Sequence, residues 1–133
     1  MQELDKQEKI PNPIHSAALY EILQMASFNP SVDALEFLFE IIDYYLEETP
    51  RVLLDIHIYL DQANYKALRR ATHTLSSTSA TVGAVNLAKL CTELEIMMVN
   101  EEFIGAAEQI YQIEAEYQQV EIALQNERKK YLN

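Results

Sequence analysis

From Ser16 onward the apolar residues recur every three to four positions, the spacing that stacks side chains along one face of an α-helix. Leu19, Ile22, Leu23 and Ala26 mark a short first helix with Ser16 as its N-cap. Phe28-Asn29-Pro30 ends it, because proline disfavours helical backbone in the residue before it. Ser31 or Asp33 starts a longer helix whose apolar stripe is Leu35, Leu38, Phe39, Ile42, Tyr45 and Leu46. Thr49-Pro50 reads as a break, with Thr at an N-cap and Pro at the first position of the next helical stretch. That stretch turns Leu53, Ile56 and Leu60 inward and stops near Ala63-Asn64.

The period resumes from Tyr65 as Leu68, Thr72, Leu75 and Ser79, and Val82-Gly83 closes it, glycine being suited to a left-handed helix cap. The next helix buries Ala84, Leu87, Cys91, Leu94 and Met98. Asn100 ahead of Glu101-Glu102 predicts a cap with acids at the positive end of a helix dipole. Phe103, Ala106, Ile110, Ile113, Tyr117, Val120 and Leu124 then alternate steps of three and four, the seam of a helix packed at a shallow angle. Short connections make neighbours antiparallel. The expected fold class is all-α, an antiparallel up-and-down four-helix bundle with an additional short N-terminal helix. Residues 1–15, charged and holding Pro11 and Pro13, read as a flexible leader, and residues 16–133 as the bundle domain.

Composition narrows the function. The 133 residues fit one domain, and two glycines with four prolines are too few for a turn-rich sandwich or barrel. No apolar run approaches the roughly 20 residues that cross a bilayer, and residues 1–15 do not resemble a signal peptide, so a cytoplasmic location is expected. A single cysteine, Cys91, excludes an internal disulfide and cysteine-based zinc or redox motifs, and reads as a buried small hydrophobe. A net charge of −11 repels phosphate backbones and anionic lipid, so neither nucleic acid nor membrane is an expected partner.

Against that acidity, one segment is cationic. With Leu68, Thr72, Leu75 and Ser79 inward, His73 lies about 130° from the middle of the buried face at ~100° per residue and faces solvent. Lys66, Arg69 and Arg70 share its side of the helix one or two turns before it. Ser77 and Ala80 follow, with small side chains that leave the ring accessible. Such a site suits a transferable anion and an acidic partner pocket. Geometry alone leaves His73 between that role and an inert surface histidine.

The wording of the segment adds to the geometry. His73-Thr-Leu-Ser-Ser-Thr-Ser-Ala-Thr-Val-Gly83-Ala84, followed by Leu87, Leu90-Cys91 and Leu94-Glu95, resembles the signature of histidine-containing phosphotransfer (HPt) domains. The likeness is most specific over Ala71–Glu95 and extends less sharply from Val32 to Leu124. It implies a phosphorelay intermediate that accepts a phosphoryl group on His73 from a receiver-domain aspartate and passes it to another receiver. Gly83 corresponds to the helix-ending glycine, and Ser77 to the small residue that leaves room for the partner. The family usually carries lysine where this chain has Ser76, so support of the phosphoryl group falls to the Ser76 hydroxyl and to Lys66, Arg69 or Arg70. The resemblance further implies no cofactor of its own, Mg²⁺ in the partner receiver, and no ATP-dependent kinase activity. The implied partners are response-regulator receiver domains and a hybrid sensor histidine kinase, met by a monomer. Histidine side chains in general titrate near pH ~6.5, so a neutral imidazole needs no activating dyad at pH 7, and no partner for the ring is evident in the sequence.

Competing chemistries lack their residues. Di-iron bundles need Glu-x-x-His, whereas Asn12, Leu54 and Arg70 stand three before His15, His57 and His73, and no other metal-ligand set is present. His57 reads as a boundary residue, and Met97-Met98 with Tyr44, Tyr45, Tyr111 and Tyr117 as core and rim. Glycine-rich phosphate loops and nucleophile elbows are absent. The alternatives to transfer are an HPt-like adaptor that binds receivers or kinases without accepting phosphate, and a structural helical module.

Overall fold

The computed structural model of the protein describes residues 12–132. Among the described residues five helices follow one another: α1 Ser16–Ser27, α2 Ala34–Asp61, α3 Tyr65–Thr81, α4 Val85–Val99 and α5 Ala106–Lys130. The described residues contain no strand. Helices α2 to α5 close a bundle in chain order, with α5 returning to α2, and α1 packs on α2 as the extra helix.

Three helix ends share one device. At the end of α2, Ala63 (φ 53°) turns left-handed, and the Ala63 and Asn64 amides donate back to the Leu60 and Tyr59 carbonyls at 3.0 and 2.8 Å. Gly83 (φ 85°) repeats this after α3, where the Gly83 and Ala84 amides reach Ala80 and Ser79 at 3.0 and 2.8 Å. Glu101 (φ 57°) repeats it after α4, with amide bonds from Glu101 and Glu102 to Met98 and Met97 at 3.2 and 2.8 Å. Each pair satisfies carbonyls the helix end would otherwise orphan and reverses the chain within a few residues. After the first two, the next helix begins at once: Asn64 and Ala84 are the N-cap residues of α3 and α4.

The core is filled as the periodicity requires. Leu38, Ile42 and Ile56 of α2, Leu68 and Leu75 of α3, Leu87, Cys91 and Leu94 of α4, and Ile110, Ile113, Val120 and Leu124 of α5 are all buried. Polar groups caught inside are satisfied. Tyr45 and Ser79 share a 2.8 Å hydrogen bond, and Thr72 Oγ1 donates to the Leu68 carbonyl at 2.7 Å. Burial pushes the Tyr45 hydroxyl well above its ordinary range and the Cys91 thiol up to about 12.

Four sequence expectations are corrected. The break at Thr49-Pro50 does not occur, and α2 runs through Pro50. Proline there removes an amide that would bond the Leu46 carbonyl. The Tyr117 hydroxyl of α5 approaches that carbonyl at 3.4 Å, and Thr49 Oγ1 donates to the Tyr45 carbonyl at 2.6 Å, so the interrupted ladder is supported from outside. Ser16 is the first residue of α1 and not its cap, and its hydroxyl donates at 2.7 Å to the buried carboxylate of Glu127. Asn100 caps the end of α4 instead of starting α5, which begins at Ala106 after Gly105 (φ 94°). Phe103 is therefore outside the helix, stacked on Tyr65 with ring centroids 3.8 Å apart.

The fourth concerns the leader. Residues 1–11 lie outside the described residues. Ile14, however, is buried, and the His15 amide donates to the Gly83 carbonyl at 2.8 Å. A Cβ at Gly83 would lie 2.5 Å from the His15 carbonyl oxygen, so glycine both ends α3 and seats the chain leading into α1.

Candidate functional site

The inward set of α3, Leu68, Thr72, Leu75 and Ser79, is wholly buried, and this turns His73 to solvent. The His73 side chain is 70% exposed midway along α3. It does not stand alone. Glu95 of α4 places its carboxylate oxygens 3.0 and 3.2 Å from Nδ1, while Nε2 has no hydrogen-bond partner among the described residues. With Nδ1 carrying the proton and donating to Glu95, Nε2 is the ring nitrogen that keeps its lone pair free of the described residues.

Lys66, Arg69 and Arg70 line a depression of about 420 Å³ with His73, Thr74 and Glu95. The cations expected to share the site are therefore brought together around the ring. Ser77 and Ala80 are exposed further along α3, as their spacing requires. Ser76 is placed differently. Its half-buried hydroxyl sits in the α3–α4 seam, 3.0 Å from the Ala88 carbonyl oxygen and 2.8 Å from Thr92 Oγ1. Thr92 Oγ1 also reaches that carbonyl at 3.0 Å, so one hydroxyl donates to the carbonyl and the other to its neighbour. Such a group is engaged between helices and not presented to the ring.

Glu95 is the residue that sequence reasoning missed. It stands in the Leu94-Glu95 pair, one position from a buried leucine, but only the register of α4 against α3 shows that it meets His73. The other histidine read as a boundary residue, His57, lies between α2 and α5 with Nε2 2.9 Å from Glu114 Oε1. Of the four tyrosines read as core and rim, Tyr45 and Tyr117 are buried and Tyr44 and Tyr111 exposed.

On the other flank of α3 an apolar groove of about 450 Å³ separates it from α2. Phe37, Ile41, Tyr44 and Val52 line the α2 side with Glu40 and Glu48, and Leu75 and Val82 lie on the α3 side. Thr74 borders both the groove and the His73 depression.

The exposed histidine, its cations and its small residues all lie within residues 40–123, which match the family model of the Hpt domain. The chain belongs to the Hpt domain family. Among solved structures, this Hpt domain is similar to histidine-containing phosphotransfer protein B (HptB) from Pseudomonas aeruginosa PAO1, with a TM-score of 0.79 and 25% identity over 92% of this chain and 99% of that one. A histidine-containing phosphotransfer protein from maize shares the fold, with a TM-score of 0.69 and 18% identity over 84% of this chain and 86% of that one. A search of curated proteins by sequence finds no match. Family and likeness together support a phosphotransfer role in two-component relays. No helix among the described residues is long and apolar enough to cross a membrane.

Proposed function

We propose that this Hpt domain accepts a phosphoryl group on Nε2 of His73 from the aspartyl phosphate of a receiver domain and passes it to the aspartate of another. The observation that carries this reading is the exposed imidazole whose Nδ1 is held by Glu95 and whose Nε2 has no hydrogen-bond partner among the described residues. In the transfer, the Nε2 lone pair attacks phosphorus, the Nε2–P bond forms, and the bond from phosphorus to the aspartyl oxygen breaks to release the donor carboxylate. The ring then carries positive charge. Its Nδ1–H faces the Glu95 carboxylate, which offsets that charge in the way a triad carboxylate offsets an imidazolium. Reversal of the same steps discharges the phosphoryl group onto the next receiver.

Lys66, Arg69 and Arg70 face the approaching phosphoryl oxygens, a local exception in a chain of net charge −11. The bundle contributes position, and the receiver contributes Mg²⁺ and the remaining charge stabilisation. The test is uptake of acid-labile, alkali-stable label from a phosphorylated receiver. Wild type is expected to take it up and His73→Gln is not; equal labelling of the two ends the proposal. One observation favours a second reading, a receiver-binding adaptor without transfer: the position of the family's usual lysine is Ser76, and its hydroxyl is engaged in the helix seam. Receiver binding that persists in His73→Ala, with no label on wild type, selects it.

A further inference from the structure

His73 and Glu95 form one rung across the α3–α4 seam, and a second rung stands one turn away. Ser76 follows His73 by three residues and Thr92 precedes Glu95 by three, the offset that antiparallel helices require of successive cross-pairs. Among the described residues the Glu95 carboxylate pairs with no Lys or Arg, although Lys66, Arg69 and Arg70 line the same depression; its hydrogen bonds are those to Nδ1 at 3.0 and 3.2 Å. The His73 side chain is 70% and the Glu95 side chain 21% exposed, and a carboxylate–imidazole pair so open to water holds its side chains only weakly. The register of α4 against α3, and not the pair itself, decides where the carboxylate stands.

That register has a polar anchor. Leu75, Leu87, Cys91 and Leu94 are buried in the core, but apolar contact is non-directional. The turn at Gly83 joins the two helices at one end, yet Glu95 lies about 15 Å along α4 from its start at Val85. Among the described residues the side-chain hydrogen bonds between α3 and α4 are those of His73 with Glu95 and those of Ser76 with Thr92 and the Ala88 carbonyl. Ser76 Oγ is 2.8 Å from Thr92 Oγ1, and each hydroxyl is 3.0 Å from the Ala88 oxygen, a triangle that closes only when α4 sits at one height against α3. We infer that Ser76 and Thr92 are positioning residues for the imidazole: they hold the register that seats the Glu95 carboxylate on Nδ1, which keeps the proton there and the lone pair on Nε2. The hydroxyl at position 76, where the family usually carries lysine, thus acts on the ring through Glu95. The effect on transfer rate rests on the phosphotransfer reading, whereas the effect on the ring does not.

The test uses the full chain as wild type, Thr92→Val, Thr92→Ser, the double variant Ser76→Ala/Thr92→Val, and Glu95→Gln with and without that double change. Nitrogen-15 NMR of the His73 ring at pH 8.5, above the ordinary histidine range near ~6.5, gives the share of rings protonated on Nδ1. In the double variant that share is expected to fall about twofold and label uptake from a phosphorylated receiver to slow about threefold, less than loss of the ring's own partner would cost. Thr92→Ser keeps the hydroxyl and should match wild type in both. Thr92→Val alone leaves the Ser76 bond to the Ala88 carbonyl and should move both readouts the same way by less, which keeps the inference testable if the double variant does not fold. Added to Glu95→Gln, the double change should slow uptake no further, because residues that act through one group are not additive. A wild-type tautomer share in the folded hydroxyl variants overturns the inference, and so does equal slowing with and without the Glu95 carboxylate, which a general loss of packing would give. The two readings fail separately: a tautomer shift in a chain that takes up no label removes phosphotransfer alone, and uptake with an unmoved tautomer removes the positioning role alone.

Discussion

The two flanks of α3 are built from opposite materials. Toward α4, the ground beside His73 is polar and charged, with Glu95 on the ring and the Ser76–Thr92 hydroxyl pair in the seam, while Lys66, Arg69 and Arg70 line the depression that holds the ring. Toward α2, the surface is an apolar trough with carboxylates on its rim. The difference separates two tasks that share one histidine. The α4 flank governs what the imidazole can do, because its groups touch the ring or border its depression. The α2 flank touches no reacting atom and can govern only what approaches. A bundle makes the division natural, since one helix presents a different neighbour on either side while its buried stripe holds both in register.

The largest effect should come from removing the support common to both flanks. Cys91 lies in the core, and burial raises its thiol from the ordinary 9.0 to about 12. The folded state thus holds this proton more tightly than the unfolded chain. The contribution is intact below about pH 9 and lost as pH climbs toward 12, with an upper limit on the order of 4 kcal/mol for three pKa units. The urea midpoint is expected to fall from pH 9 upward, with label uptake and receiver binding failing in parallel. In Cys91→Ala the decline should begin only above pH 10, where tyrosines titrate; an identical pH dependence would refute the assignment to Cys91.

A smaller, one-sided effect is expected from Glu95→Gln, which keeps the shape of the side chain and removes its charge. Uptake should slow by about tenfold, the low end of the range for removing a group that holds a catalytic imidazole. Receiver Kd should not change. Nitrogen-15 NMR of the His73 ring gives a readout that a merely structural role would not move, because the population protonated on Nδ1 should drop in the variant. If uptake and tautomer both match wild type, Glu95 does not position the ring.

What could be read from the chain follows from how local each feature is. The buried row Leu68, Thr72, Leu75 and Ser79 is set by the helical period, and it places His73 outward without knowledge of any other helix. The cations sharing its side follow from the same rotation. Glu95 and the true environment of Ser76 depend on the register of α4 against α3, to which spacing within one helix is blind. Pro50 misled for a similar reason: its interrupted ladder is supported by Tyr117, 67 positions further along the chain. Asn100 misled because asparagine suits either end of a helix, and the left-handed turn at Glu101, a residue with no preference for it, decides which end this is.

The finest test of the division is Ser76→Lys. Position 76 is one turn beyond His73 on α3, close enough for a long side chain to reach the ring's surroundings. The serine hydroxyl is held by Ala88 and Thr92, so the substitution discards a half-buried hydrogen bond worth about 1 kcal/mol. Thr92 can still donate to the Ala88 carbonyl, which limits the damage. The lysine stem can lie along the seam and carry its ammonium out to water beside the phosphoryl group. Phosphohistidine lifetime, followed as loss of label from the purified phosphoprotein, is expected to lengthen by about threefold, the scale of a weak exposed charge pair. An unchanged lifetime would mean that Lys66, Arg69 and Arg70 already supply the charge. Because the substitution faces α4, receiver affinity should move by less than it does for Tyr44→Ala in the groove on the other flank. A larger shift in Kd from position 76 than from position 44 would show that the receiver reads the α4 side too, and the two tasks would no longer be separable.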